Sequence, residues 1–245
     1  MTDEEKLEYA IEKEKIGKRI EFIEFVENIV SAVKEERPYF FNRMGDGTVW
    51  LLRKIVNPVG AFRYPDGNFC AKDSVEYLLQ GTLEAIRNAD MSGTFKNDIN
   101  LYYYLNDNGC DIPKIRFHAF YNRSLQCYPA FVTEVFRKKK LLLIGSKALA
   151  YQKYLEAMIP EVRSIVYPGE ALLETQKDCE RILGFIERAS FDVGIVSMGI
   201  WADIILHKIK KCGKIGIDYG NTMNLQLIGE TYITLGNDVI GALPG

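Results

Sequence analysis

The sequence predicts an α/β protein of Rossmann-like architecture: a mostly parallel sheet flanked by helices, with an N-terminal helical extension. Three observations carry this. From Pro38 onward short apolar runs alternate with amphipathic helical patterns, which is how a sheet covered on both faces reads. Late in the chain Lys140–Ile144, Val162–Tyr167, Val193–Ser197 and Lys214–Asp218 have the length and apolar content of buried strands, each followed by a turn residue. Before Pro38, residues 3–36 hold a single glycine, Gly17, and are dense in Glu, Lys, Ile and Leu. The chain therefore divides into a helical extension over residues 1–36 and a Rossmann-like domain over residues 37–245.

In the extension Ile20, Phe22, Ile23, Phe25, Val26, Ile29, Val30 and Val33 form a stripe at three-and-four spacing, so its second half packs on the domain. The first half, with Glu4, Glu5, Lys6 and Glu12 to Lys15, is polar and reads as solvated or as the seam of a homo-oligomer. Its mixed charge signs argue against a membrane-surface helix. Next comes an apolar strand, Tyr39-Phe40-Phe41, running into Asn42-Arg43-Met44-Gly45-Asp46-Gly47-Thr48 and a helix over Val49–Val56. Residues 57–68 contain Pro and Gly beside Arg63 and Tyr64 and read as a loop that could lie over a site. Helices follow over Asp73–Ala89 and Asp98–Leu105, and a strand closes at Phe117 to Arg123. Further helices cover Ala148–Met158, Glu174–Arg188 and Trp201–Lys211. The tail, Thr231 to Gly245, carries three glycines and reads as a mobile flap or as disordered chain.

Composition narrows the function classes. The 245 residues suffice for a full core. With a net charge of −2 and a pI near 5.9 there is no global basic field to neutralise phosphates, so a nucleic-acid partner is disfavoured. No apolar run reaches the length of a transmembrane segment and the N-terminus is acidic, so the expected location is cytoplasmic. The five cysteines are scattered, with no Cys-x-x-Cys pair, and read as reduced thiols; with only His118 and His207 beside them a structural zinc site has no raw material.

Open parallel sheets place their ligands at the carboxyl ends of the strands, so residues there are the candidates. Arg43 and Asp46 stand at the first such end, flanked by Gly45 and Gly47, which allow a tight turn and close approach of a ligand. The plain structural alternative makes Asp46 the cap of the following helix and Arg43 its ion-pair partner. Gly145-Ser146-Lys147 and Ser197-Met198-Gly199 are small-residue turns into helices, whose free N–H groups suit a phosphate, although neither carries a full dinucleotide or P-loop fingerprint. Asp218-Tyr219-Gly220-Asn221 places a second carboxylate at a strand end. Arg123 is a second guanidinium able to hold phosphate oxygens in a bidentate fashion. Two arginines and two carboxylates around small turns suit an anionic, polyhydroxylated ligand such as a nucleotide-sugar. Trp50 and Trp201 read as core rather than as stacking platforms.

The run Arg43-Met44-Gly45-Asp46-Gly47, followed by Tyr121-Asn122-Arg123, Tyr167-Pro168-Gly169-Glu170-Ala171, Ser197-Met198-Gly199 and Gly213 to Gly220, resembles the GT-D fold glycosyltransferases, first described as a domain of unknown function in bacterial glycosylation loci. The resemblance runs from about Pro38 to Asn221 and lies in the joint order of the pieces. It implies transfer of a sugar from a nucleotide diphosphate donor, typically a UDP-sugar, to a glycan or glycoconjugate acceptor. It also implies a divalent cation, Mn2+ or Mg2+, held by an Asp-x-Glu motif. Asp46 matches the Asp, but Thr48 stands where the Glu is expected, and Asn221 replaces the family's His. Those departures leave room for a metal-independent enzyme, or for a non-catalytic nucleotide or nucleotide-sugar binding protein. On the transferase reading Asp46 holds metal or sugar hydroxyls, and Arg43 and Arg123 neutralise the diphosphate. The Gly145-Ser146 and Met198-Gly199 turns cradle it, with Gly45, Gly47, Gly220 and Asn221 lining the site. Asp218 activates the acceptor if the transfer inverts; a retaining transfer has no such need. A small-molecule methyltransferase would share the architecture, but its Gly-rich first turn is not seen.

Overall fold

Strand β1 (Tyr39–Met44) lies in the middle of a seven-stranded sheet with β2 (Met91–Thr94), β3 (Ile115–His118), β4 (Lys140–Gly145), β5 (Arg163–Val166), β6 (Val193–Ser197) and β7 (Ile215–Asp218). The order is β3-β2-β1-β7-β6-β4-β5, and every pairing is parallel. This computed structural model describes residues 20–54, 74–94, 99–111, 114–168 and 175–229, residues 5 and 173, and two hairpins that pair Phe62–Arg63 with Phe69–Cys70 and Thr231–Leu235 with Asp238–Leu243. The expected polar helix over the first nineteen residues lies outside them, apart from Glu5, as do the loop residues between the first hairpin and its flanks and Gly169 to Leu172.

Besides a single turn at Pro129–Phe131, the helices that cover the sheet among the described residues are α1 (Phe22–Lys34), α2 (Asp46–Lys54), α3 (Val75–Asn88), α4 (Ile99–Asp107), α5 (Ala148–Met158), α6 (Gln176–Arg188), α7 (Ala202–Lys211) and α8 (Thr222–Leu227). Alternate residues of each strand point to opposite faces, and the core divides accordingly. On one face Phe41, Leu141, Leu143, Ile195 and Ile217 meet α1, α5 and the segment 121–137. On the other, Phe40, Leu142, Ile144 and Val196 meet α3, α6 and α7, while α2 and α4 bury Val49, Leu52, Leu101 and Leu105 against α3. The crossovers share one hand, since steps in opposite directions along the sheet use opposite faces, as the handedness rule for parallel sheets demands. Steps from β1 to β3, and from β5 back to β7, use the second face; the step from β4 to β5 uses the first.

Most expected elements recur with shifts of a residue or two at their ends. Helix α5 and strand β6 keep the expected bounds, and the N-terminal stripe packs on the domain through Phe25, whose ring meets Phe41 at 5.0 Å. Ile23 is an exception: it is 56% exposed and does not belong to the stripe. Strand β2 leaves no mark in the sequence, because Met-Ser-Gly-Thr has neither alternation nor an apolar run; it is a strand because both neighbours pair with it. The strand expected to close at Arg123 ends at His118, and Arg123 lies in a 3-10 turn, Tyr121–Cys127, followed by helical turns over Pro129–Phe131 and Val132–Arg137. Of the two readings of the tail, disordered chain does not hold over residues 231–235 and 238–243, which pair as an antiparallel hairpin. Cys110, Cys127, Cys179 and Cys212 are free thiols, as expected.

Helix α7 is pressed hard onto its neighbours. A Cβ at Gly194 of β6 would come within 2.5 Å of Ile209, and one at Gly81 of α3 within 2.5 Å of Ile204. The glycines thus let α7 sit deep, with its first turn close to the carboxyl ends of the central strands.

Candidate active site

Strand β1 leaves the sheet for α2 on the second face, whereas β7 leaves for α8, which packs with α5 on the first. Adjacent parallel strands whose connections diverge open a crevice at their carboxyl ends. Arg43 and Asp218 face each other across it, with the Arg43 Nε 3.7 Å from Asp218 Oδ1. That separation makes an ion pair, not a hydrogen bond, and the buried Nε–H has no hydrogen-bond acceptor. Asp218 Oδ1 accepts the Gly220 N–H at 2.8 Å.

The guanidinium lies between two glycines. A Cβ on Gly45 would stand 3.0 Å from both terminal nitrogens of Arg43, and a Cβ on Gly220 would stand 2.6 Å from one of them. Gly220 also has φ +50, the left-handed region that side chains rarely enter. Its carbonyl accepts the hydroxyl of Ser197 at the end of β6, which ties the two strand ends together. Gly220→Ala is therefore expected to lower stability by about 1–3 kcal/mol through the backbone alone, and to push Arg43 off Asp218. Urea denaturation of the variant at neutral pH checks the figure; an unchanged midpoint would mean that the turn relaxes freely.

Sequence reasoning missed a third charged residue. Asp203, in the first turn of α7, is 1% exposed and sits beneath the crevice. Its Oδ1 accepts from the Asn42 amide at 2.5 Å and its Oδ2 from the Thr48 hydroxyl at 3.3 Å. Burial pushes the Asp203 carboxyl well above the usual carboxylate range, helped by Asp218 and opposed by the Thr48 hydrogen bond and by Arg43. Burial raises Asp218 as well, with Arg43 and the Gly220 N–H pulling it back. Two carboxyls thus share one guanidinium, and their environments differ: Asp218 has a cation and a backbone donor, Asp203 only neutral partners. The proton is better placed on Asp203 and the charge on Asp218.

The remaining sequence-predicted residues are only partly brought to this centre. Asp46 opens α2, with Gly45 rather than Asp46 as its cap, since the Gly45 carbonyl accepts the Val49 N–H at 3.0 Å; the side chain of Asp46 lies outside the described part. Gly47 is buried in the same turn. Thr48 is 4% exposed and turned inward to Asp203. Gly145 ends β4 against Ser197, where a Cβ would meet the Ser197 backbone carbonyl at 3.0 Å, and Ser146 beside it is exposed. Met198 is buried in the core with Trp201, while Gly199, with φ +54, and Asn221 are exposed. The Arg123 guanidinium stacks on Phe120 at 4.2 Å. Gly169, Glu170 and Ala171 and the side chain of Trp50 lie outside the described residues.

A hard divalent ion asks for several oxygen ligands converging on one point. Among the described residues no group of three His, Cys, Asp or Glu side chains does so. The two carboxyls that come together enclose a guanidinium, and the Thr48 hydroxyl is donated to one of them. Among the described residues these donors do not form a divalent-cation site; the ligand expected from the sequence, Asp46, has its side chain outside them. No helix among the described residues is long and apolar enough to cross a membrane.

A model of the GT-D fold-like domain matches residues 21–226. Two solved structures are similar to this chain over 94% of its length and 88% of theirs, at 16% identity and a TM-score of 0.57. One is described as the highly conserved domain of unknown function 1792 with a distinct glycosyltransferase fold, the other as a selenomethionine-substituted structure of the same domain. At that identity the likeness concerns the fold. No curated protein matches. With its central β1 and β7, its crevice between them and the extent of the match, the chain belongs to the GT-D fold-like domain family.

Proposed function

We propose that the protein is a glycosyltransferase that moves a sugar from a nucleoside diphosphate donor, a UDP-sugar in the first instance, to a hydroxyl of a glycan or glycoconjugate acceptor. The observation that carries this reading is the Arg43–Asp218 pair at the β1–β7 crevice, its guanidinium fixed between Gly45 and Gly220. A cation held this way suits a diphosphate leaving group, where negative charge grows as the sugar departs. Arg123, whose neighbour Asn122 donates to the Thr222 hydroxyl at the start of α8, is the second cation assigned to the donor.

In an inverting transfer the acceptor hydroxyl forms the new bond to the anomeric carbon and gives its proton to the Asp218 carboxylate. The anomeric carbon–oxygen bond breaks, and the diphosphate takes the electron pair opposite Arg43. A carboxylate raised by burial toward the working pH is a better base than an exposed one. One observation favours a second reading, a non-catalytic nucleotide-sugar binding protein: position 48 lacks the expected acid, and its hydroxyl serves Asp203 instead of the crevice.

Calorimetry and thermal shift with UDP, GDP, UDP-glucose, UDP-N-acetylglucosamine and dTDP-glucose test the reading, each with manganese and with EDTA. A nucleoside diphosphate is expected to raise the melting point by mass action. Donor turnover on top of binding supports the transferase, binding without turnover toward any acceptor supports the sensor, and no binding sinks both.

A further inference from the structure

Between the last paired residue of β1 and the body of α2 the chain makes one abrupt turn, and both flanks of that turn are fastened to the same side chain. Gly45 N–H closes on the Arg43 carbonyl at 2.7 Å, a three-residue turn that fixes little by itself. On one side Asn42, immediately before Arg43, donates to Asp203 Oδ1; on the other Thr48, two residues after Asp46, donates to Asp203 Oδ2. These bonds span 161 and 155 residues of sequence. Their anchor does not give way, because Asp203 is followed by Ile204, which Gly81 of α3 admits at a distance no side chain would tolerate. The groups facing the carboxyl are Asn42, Thr48, Arg43 and Asp218, and no solvent reaches it.

We propose that Asp203 is the positioning residue of the 43–48 turn: its two carboxyl oxygens brace Asn42 and Thr48, and so hold Arg43 in register with Asp218. Asp203 touches no substrate. Thr48 then has a role that a glutamate could not fill, since a short hydroxyl donor, and not a second acid, is what a buried carboxyl accepts from. The same geometry gives Asn42 its reason: a polar residue, 0% exposed, in a strand position whose neighbours are Phe40 and Met44. The ligand side of this inference rests on the proposed donor site; the bracing itself does not.

Amide hydrogen exchange over residues 42–49, UDP affinity by calorimetry and melting temperature are measured on Asp203→Ala, Asp203→Asn, Thr48→Val and Thr48→Ser. Breaking a buried hydrogen bond to a carboxyl is worth about tenfold or more in an equilibrium. Asp203→Ala and Thr48→Val are expected to speed exchange in the turn by about that factor and to weaken UDP similarly, with β4 and β5 unmoved. Asp203→Asn keeps an acceptor and an amide donor in the same outline, and Thr48→Ser keeps the hydroxyl, so both are expected to stay within about threefold of wild type. The double variant Thr48→Val with Asp203→Ala should be no worse than Asp203→Ala alone. If Asp203→Ala does not fold, Thr48→Val and its serine rescue decide. Unchanged exchange in the turn for Thr48→Val, or loosening of the whole sheet together with it, overturns the proposal. Should wild type bind no UDP while exchange responds as stated, the brace stands and the transferase reading falls; UDP binding with a turn that does not respond has the opposite meaning.

Discussion

Arg43→Ala is expected to lose about 3 kcal/mol of stability at neutral pH and almost none near pH 4. Removing the one cation from two buried carboxyls leaves charge with no partner, and breaking such pairs costs about 3–5 kcal/mol when the site is dry. Arg43 keeps a little solvent contact, which places the loss at the low end. The pH dependence has a definite sign. Asp203 and Asp218 both sit above their ordinary range in the folded protein. A group raised on folding contributes stability that is complete below its unfolded pKa, about 3.9, and is lost as pH rises through its folded value. Arg43 opposes both shifts, so its removal raises both groups further and deepens the loss as pH rises above about 4. Against a total of about 5–15 kcal/mol for a domain of this kind, the variant is marginal at pH 8 and close to wild type in acid. Urea titrations across that range check it. A deficit independent of pH would mean that Arg43 acts through packing alone, and Arg43→Ala with Asp218→Asn should recover most of the loss if the carboxyl is the cause. Arg43→Lys is expected to restore only part, because an ammonium cannot lie flat between Gly45 and Gly220.

The parts of this site that could be read from the sequence share one property: each announces itself locally. Arg43 and Asp218 end apolar strands and are followed within two residues by glycine, a pattern with few structural uses. Asp203 does not. An acid in the first turn of a helix is what the helix dipole favours anyway, and its partners are more than 150 residues away. The signal that could have found it lies in its partners: Asn42 is polar in a strand whose other members demand burial, and a buried amide needs a donor or acceptor supplied from elsewhere. The same contrast holds for the fold. The late strands Lys140–Gly145 and Val193–Ser197 are legible because they are apolar throughout, buried on both faces of a parallel sheet. Strand β2 is just as buried, but its Ser92 and Thr94 are strand-like only by virtue of β1 and β3 on either side. Arg123 reads as the end of a strand and lies one element later, since a 3-10 turn with an aromatic and an Arg carries no periodicity to distinguish it from a strand end.

Asp218→Asn is expected to separate catalysis from stability. The Asn side-chain carbonyl can still accept the Gly220 N–H that Asp218 Oδ1 accepts at 2.8 Å, so the turn persists. What disappears is a buried negative charge and, among the described residues, the carboxylate at a strand end of the crevice that is placed to take a proton. If Asp218 is the base, kcat falls by about 10²–10⁴ and kcat/KM falls with it, because the lost interaction exists only as the proton moves. Donor affinity should hold or improve: Arg43 loses the counter-ion 3.7 Å away and offers its whole guanidinium to the diphosphate. The pH profile gives a second, independent reading. The acid limb of the wild-type kcat/KM profile should lie above the ordinary carboxylate range, as burial of Asp218 requires, and should vanish in the Asn variant. A variant that binds UDP more tightly and turns over a hundredfold more slowly fits a base; one that loses binding and rate together makes Asp218 a donor ligand; and one with full activity moves the base to another residue. A protein that binds the donor but shows no turnover in either form is the sensor, and there Asp218→Asn changes affinity alone.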